Sequence, residues 1–258
     1  MCCHLPLYLH SMAVRVVFLG SKPIGFKCLQ YLLQNKQTLE VEVVAMRTQA
    51  RKEFSGDYDL TALAAAHNIP LLSSLDNLPE CDIIYSVQHH ELLKQPHIDK
   101  AKTIAVNLHM APLPEYRGCN QFSFAIMDNA QEFGVTLHEI DTRIDHGAVL
   151  FERRFAIPKD CWVSDLYTLT EAEALQLFKE SMQPLLAGDY KKVTQQELML
   201  QRSSSIHYRN EINTLKQLDL NQSQEEIARR IRATYMPGFE PPYFMIAGKK
   251  IYAQIAEE

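Results

Sequence analysis

The apolar residues of this chain fall into short, nearly continuous runs separated by stretches of helical length. Val14-Arg15-Val16-Val17-Phe18-Leu19 is rich in β-branched residues, as in a strand buried on both faces. Gly20-Ser21 then turns the chain, and Pro23 suits a first helical turn. From Ile24 to Leu33 the period is helical, with Ile24, Cys28, Tyr31 and Leu32 on one side. Val41 to Met46 predicts a second strand, Leu60 to His67 a helix and Ile69 to Leu72 a short strand. Asp82 to Val87 and Thr103 to Leu108 read as two more buried strands. This alternation predicts an α/β protein, a doubly wound and mostly parallel sheet with helices on both faces.

Beyond that point the pattern changes. Asn120 to Met127 predicts a helix, Phe133 to Ile140 alternates like a strand, and Ala148 to Ala156 is another strand. Ser164 to Leu186 predicts a long helix with Ser164 as N-cap and Gly188 as its end. Its stripe is Leu166, Leu169, Ala172, Leu175, Leu177, Phe178 and Met182. Gln195 to Asn221 is polar and reads as an irregular connection. Ser223 opens a short helix to Ala233, and Tyr243 to Ile246 and Lys250 to Ile255 form a hairpin around Ala247-Gly248-Lys249. The expected organisation is a disordered leader over 1–12, a main α/β unit over 13–195 and a small helix-plus-hairpin unit over 196–258.

Composition narrows the function. The chain has 258 residues, 47% hydrophobic and 22% charged, with a net charge of −5. That balance argues against broad binding of a nucleic-acid backbone, which needs a basic face. Arg229, Arg230, Arg232, Lys249 and Lys250 are interleaved with Glu225, Glu226 and Glu240, as on a solvated helix face. No apolar run reaches the roughly eighteen residues of a membrane span. Met1 to Ser11 carries no Lys or Arg and does not read as a signal peptide. The six cysteines include no C-x-x-C pair, which favours a reducing cytoplasm.

The candidate chemistry lies at the end of the strand before Pro112. Asn107 and His109 are two apart, so in a strand they share a face. In an open α/β sheet, ligands bind at that end of the strands. A second polar turn, Asp141-Thr-Arg-Ile-Asp145-His-Gly147, follows some residues later. Amide, imidazole and carboxylate together can polarise a carbonyl and move a proton. On spacing alone, catalysis and a polar strand end without chemistry stand level.

Other motifs are weaker. Gly20-Ser-Lys-Pro-Ile-Gly25 opens a helix but matches neither a P-loop nor a dinucleotide fingerprint, so a tight turn and an anion site stand about level. The histidines have no helical i, i+4 pair and no cysteine partners, so no metal is expected. His138 and His146 read as hydrogen-bonded structural residues, and Cys119 as a small turn residue.

Three motifs in order carry a resemblance: Asn107-Leu-His-Met-Ala-Pro-Leu-Pro-Glu-Tyr-Arg-Gly118, Phe133-Gly-Val-Thr-Leu-His138, and Asp141-x-x-x-Asp145-x-Gly147. From Val14 to Leu186 the chain resembles the folate-dependent formyltransferases. The resemblance implies a Rossmann-like catalytic domain over 13–195, with 10-formyltetrahydrofolate as co-substrate and Asn107, His109 and Asp145 as the catalytic residues. Met110-Ala111, next to the site, departs from many relatives of that family. Ser86-Val-Gln-His-His90, Ile231 to Phe244 and Gly248 to Tyr252 are similar to sugar N-formyltransferases acting on nucleotide-linked amino sugars, with dTDP the expected nucleotide and surface-glycan (O-antigen) synthesis the expected role.

By the same resemblance the pterin would meet Gln88, His89, Leu92, Ile140, Asp141 and Arg143. The sugar nucleotide would meet Ser21, Lys22, Tyr116, Arg117 and Asn120. Asn107 and His109 would stabilise the oxyanion, while Asp145 would orient His109 and take the amine proton. A homodimer through the hairpin is expected, with no nucleic-acid or membrane partner. The alternatives are a methionyl-tRNA formyltransferase, a formyltetrahydrofolate hydrolase, and a non-catalytic folate or nucleotide-sugar binder.

Overall fold

The structure, a computed structural model, describes residues 13–48 and 58–254; the leader expected over 1–12 lies outside them. Six strands form one sheet: β1 (Val14–Gly20), β2 (Val41–Arg47), β3 (Cys81–Val87), β4 (Ala101–His109), β6 (Glu132–Glu139) and β7 (Val149–Ala156). A two-residue strand, β5 (Arg117–Gly118), lies apart from this sheet. The order is β2-β1-β3-β4-β6-β7. The first four strands run parallel, and β6 and β7 are antiparallel to their neighbours.

The apolar run Val14 to Leu19 becomes the strand β1 because both its faces are covered. Val16 and Phe18 face the larger core, while Val17 and Leu19 face the other. Helices α1 (Lys22–Leu39), α2 (Leu60–Ala66) and α5 (Val163–Ala187) close the first side, with Leu29, Leu32, Phe178 and Met182 among its fully or nearly fully buried side chains. The second side has a thinner cover. Leu75, Leu78, Leu93 and Ile98 come from a 3₁₀ turn, a loop and the short helix α3 (Gln95–Ile98).

Several local expectations need correction. Ile69 to Leu72 forms only a single parallel bridge between Leu71 and Met46, since Pro70 removes a donor and limits the pairing. The N-cap of α5 is Trp162, whose backbone N–H is met by Asp165; Ser164 already lies inside the helix. Ala172 faces solvent, and Ala174 takes the buried position in the stripe.

The segment read as an irregular connection has structure. It contains α6 (Gln195–Leu198), a two-residue strand β8 (Ile206–His207), a 3₁₀ turn at Arg209–Glu211 and α7 (Ile212–Lys216). β8 pairs in parallel with β5, immediately before α4 (Gln121–Met127). Then come α8 (Gln224–Thr234), capped by Ser223 Oγ accepting from Glu226 N–H, and the hairpin β9 (Tyr243–Ile246) and β10 (Lys249–Tyr252). α8 packs on α4 and α5.

Candidate active site

β4 ends between β3 and β6, and that placement sets the site. Asn107 lies directly opposite His138 in the antiparallel β4–β6 pair, and His109 lies opposite Thr136. Cross-strand partners share a face, so two imidazoles and an amide converge there. Asn107 Nδ2 lies 3.1 Å from His138 Nε2. The His138 Nδ1 atom is 2.8 Å from the Glu139 carbonyl oxygen, which can only accept. The proton of a neutral His138 therefore sits on Nδ1, and Nε2 accepts from Asn107.

His109 is fixed by the same logic. Its Nε2 is 2.8 Å from the Tyr116 carbonyl, so Nε2 donates and Nδ1 is left facing Asp145 Oδ2 at 3.7 Å. Asp145 Oδ1 is 3.5 Å from His138 Nε2. The carboxylate thus lies between two imidazoles whose outer nitrogens are tied to backbone carbonyls. Oδ2 also accepts from Gly118 N–H at 3.0 Å. Burial works against the charge of Asp145, yet His109, the His138 contact and the Gly118 N–H outweigh it and hold the carboxyl well below its ordinary range.

The turn that presents Asp145 is itself constrained. Asp145 has φ of 45°, in the left-handed region that is costly for a side-chain-bearing residue. Gln195, 1% exposed, donates from Nε2 to the Asp145 carbonyl at 2.7 Å and the Gly147 carbonyl at 3.1 Å. Gly147 packs so closely on β6 that a Cβ there would lie 1.8 Å from the Glu139 oxygen.

A narrow cleft opens beside this cluster. Ser86, His89, Leu92, Asn107, His138, Ile140 and the turn 141–145 line it. His109 stands behind Asp145, 4% exposed and off the cleft wall. A larger cleft, about 500 Å³, lies at the opposite strand ends around Lys36, Glu40, Glu42 and His67, away from the amide–imidazole–carboxylate cluster.

The residues expected to hold the pterin divide. His89, Leu92, Ile140, Asp141 and Arg143 all border the cleft. Gln88 does not: its side-chain oxygen accepts from Lys22 Nζ at 2.8 Å, and its carbonyl accepts from Ser21 Oγ. Ser21 and Lys22, expected at the sugar nucleotide, are therefore joined to Gln88. Asp141 accepts from Arg143 N–H at 2.8 Å and meets His146 Nδ1 at 2.9 Å. Burial would raise its pKa, and these partners bring it below the ordinary value instead.

The remaining expected sugar contacts are occupied within the chain. Tyr116 is 8% exposed, and its hydroxyl donates to Asp128 at 3.1 Å. Arg117 donates from Nη2 to Ser204 Oγ at 2.9 Å and from Nε to the Ser205 carbonyl at 3.3 Å. Asn120 Nδ2 donates to the Tyr208 and Arg209 carbonyls. Arg117 and Asn120 thus hold the 204–209 segment, because β8 brings its backbone oxygens beside them. Among the described residues no group of three or more His, Cys, Asp or Glu could hold a metal ion.

His138 and Gln195 are the functional candidates missed by spacing. His138 followed the alternation of a strand, and only its register against Asn107 marks it out. Gln195 is a lone amide in a polar stretch and carries no sequence signal.

An open α/β sheet thus carries an amide, two imidazoles and a carboxylate at its ligand-binding end, a set that can polarise a carbonyl and move a proton. Residues 14–181 match the formyl transferase family, and the chain belongs to it. It is similar to the GDP-perosamine N-formyltransferase of Brucella melitensis, 26% identical over 223 residues and covering 83% of each chain. It is also similar to a methionyl-tRNA formyltransferase of Levilactobacillus brevis, 28% identical over 235 residues, 84% of this chain and 71% of that one. Among solved structures it is similar to WlaRD, a sugar 3N-formyl transferase crystallised in the presence of dTDP and 5-N-formyl-THF. That match has a TM-score of 0.75 and 25% identity, covering 92% of this chain and 84% of that one.

Proposed function

We propose that this enzyme transfers the formyl group of 10-formyltetrahydrofolate to the amine of a nucleotide-linked amino-dideoxy sugar, in the synthesis of a surface glycan such as O-antigen. The observation that carries this is the convergence of Asn107, His138 and Asp145 on one cleft, with Asp145 held ionised. The fit of folate to the cleft rests on its mixed polar and apolar lining, with Leu92 and Ile140 beside Ser86, Asn107 and Asp141. The sugar acceptor is supported by the relatives' names. dTDP is the nucleotide we favour, after WlaRD; GDP, after the Brucella relative, is the competing outcome.

The sugar amine attacks the formyl carbon, a C–N bond forms, and the carbonyl oxygen becomes an oxyanion. One N–H of Asn107 is committed to His138; the other is the donor for that oxygen, worth about 2.7–4 kcal/mol of barrier. Collapse breaks the bond to N10, which takes a proton as tetrahydrofolate leaves. A carboxylate held below its ordinary pKa is a poor base. Asp145 therefore acts mainly through its charge, favouring the positive charge that develops on the attacking amine, and the amine proton passes, directly or through water, to N10 as tetrahydrofolate leaves. His109 works through Asp145 here; direct donation to the oxyanion would require its Nε2 to leave the Tyr116 carbonyl.

The catalytic region is taken as 13–195 and the acceptor region as 196–258. The hairpin exposes Met245, Ile246, Ile251 and Tyr252, a surface suited to pairing two subunits. A cytoplasmic location accords with the free cysteines, and no helix among the described residues is long and apolar enough to cross a membrane. A tRNA substrate is favoured by several methionyl-tRNA formyltransferases, 22–29% identical to this chain. From Asp189 onward the chain has ten Lys/Arg against nine Asp/Glu, which gives no basic face for RNA.

The deciding experiment is a transfer assay with the folate donor against dTDP- and GDP-linked amino sugars, formyl-acceptor tRNA and water. Formylation of an amino sugar, abolished in Asn107→Ala and Asp145→Ala, is expected. Formate release with no acceptor, or transfer to tRNA alone, would replace this reading.

A further inference from the structure

β7 lies at the outer edge of the sheet, yet two of its side chains reach back toward the site. His109 of β4 lies opposite Thr136 of β6, and Thr136 lies opposite Glu152 of β7. Alternate residues of a strand share a face, so Glu152 and Arg154 look toward the loop after β4. Arg153 turns the other way, to Glu173 and Glu180 of α5. Arg154 can cross β6 because its cross-strand partner is Gly134. A Cβ there would stand 3.0 Å from Arg154 Cδ and 2.7 Å from the Arg153 carbonyl oxygen.

The charges form a chain. Arg202, beyond α6, donates from Nη1 to Glu152 at 2.9 Å and to the Leu113 carbonyl at 3.3 Å. Glu152 also accepts from Arg154 Nε at 2.8 Å, and Arg154 Nη2 donates to Glu115 Oε1 at 2.7 Å. The four side chains are between 13% and 30% exposed, so water screens them only in part. The second oxygen of Glu115 is buried without a hydrogen-bond partner, and Arg154 is the cation paired with that carboxylate among the described residues. Removing one member of such a pair leaves a charge uncompensated.

What the chain holds is the next carbonyl. The Tyr116 oxygen accepts from His109 Nε2 at 2.8 Å, while His109 Nδ1 stands 3.7 Å from Asp145 Oδ2, beyond hydrogen-bond range. A neutral imidazole has one proton, and two acceptors compete for it here. The Tyr116 carbonyl wins because it is nearer, and its nearness depends on where the loop stands.

We propose that Glu152, Arg154 and Arg202 are positioning residues. Through Leu113 and Glu115 they place the Tyr116 carbonyl, which keeps the His109 proton on Nε2 and its lone pair toward Asp145. The effect on turnover rests on the formyl-transfer reading; the effect on His109 does not.

The test compares Arg154→Met and Arg154→Lys with Arg153→Met, which breaks ion pairs on the other face of the same strand. Imidazole ¹⁵N shifts give the tautomer of neutral His109. Transfer from 10-formyltetrahydrofolate to dTDP- or GDP-linked amino sugars gives kcat and KM. The wild type should carry the His109 proton on Nε2. Arg154→Met should move part of the population to Nδ1–H and lower kcat roughly ten- to a hundredfold, as a small misplacement of a catalytic group does. The KM of both substrates should stay within about twofold. Arg154→Lys should recover part of both changes. Arg153→Met should lower Tm and leave the tautomer and kcat as they are.

An Arg154→Met protein that keeps the Nε2 proton, or loses no more kcat than Arg153→Met, would overturn the assignment. So would a wild type with the proton on Nδ1, a measurement that needs no variant to fold. A wild type that transfers no formyl group to any acceptor would overturn the proposed function, while the tautomer would still decide the role of Arg154.

Discussion

The side chain of Gln195 holds the main chain of Asp145. Its Nε2 donates to the carbonyls of both Asp145 and Gly147, from a position 1% exposed and fifty residues further along the chain. The left-handed backbone at Asp145 therefore depends on an amide outside its own turn. Gln195→Leu leaves two carbonyls without this donor, and removing a buried partner typically costs about 1–3 kcal/mol. The expected outcome is a lowered Tm, and kcat reduced more than the KM of either substrate. Unchanged kcat in a folded variant would show that the turn holds without Gln195.

Gly147→Ala is expected to be far more severe. Its methyl group would meet the Glu139 oxygen at 1.8 Å, and that oxygen belongs to a strand that cannot yield cheaply. Either the turn moves away from β6, separating Asp145 from His138, or the variant does not accumulate. Soluble yield and hydrogen exchange at residues 139–148 distinguish the two.

Asp145 should leave a mark on the pH dependence of stability. Its folded pKa lies below the ordinary 3.8, so the unfolded chain binds the proton more readily than the folded one. The resulting stabilisation is complete above the ordinary value and drains away as pH falls below it. Asp145→Asn should lose on the order of 2 kcal/mol at pH 7. The gap to wild type should narrow below about pH 4. Urea unfolding at pH 7, 4 and 3 measures this; a gap independent of pH would mean that the ionised form is not favoured.

His89 contributes at higher pH. Its folded value of about 4 lies below the ordinary imidazole value of 6.5, so between these pH values the unfolded chain takes up a proton that the folded chain refuses. Stability should fall as pH falls through that window, by up to about 1.4 kcal/mol per pH unit. His89→Gln should flatten that slope, as read from chemical denaturation at pH 6.5, 5.5 and 4.5.

Arg117 separates a holding role from a ligand role. Arg117→Ala should loosen the 204–209 segment, seen as faster exchange at the amides of Arg117 and Cys119, which pair with Ser205 and His207. If the guanidinium serves only a substrate phosphate, those amides will stay protected while the acceptor KM rises.

The strands were legible because each is a compact apolar run whose two faces are both covered, as at Val14 to Leu19. The pairing of Asn107 with His109 was legible from the two-residue period of a strand. His138 was not, because its meaning depends on the register of β6 against β4, a relation between residues thirty-one apart. β8 was hidden for the same reason: Ile206 and His207 have no local strand signal and are ordered by Arg117 and Gly118. Arg117 and Asn120 meet partners that their residue types alone did not reveal. Residues well suited to phosphate are equally suited to backbone carbonyls, and the nearest carbonyls belong to the chain itself.

The β5–β8 pairing is made by main-chain groups: Arg117 N–H reaches the Ser205 carbonyl and Cys119 N–H the His207 carbonyl, while Gly118 leaves room for the approach. Apart from Ser204, Ser205 and His207, whose side chains make contacts of their own, an attachment of this kind scarcely reads the side chains of the segment it holds. Those facing outward from 203 to 208 can therefore be exchanged while the backbone stays moored beside Asp145. Drift there would rewrite the surface a visiting molecule meets without disturbing the carboxylate a few ångströms away, so new partners can be acquired on an old reaction centre.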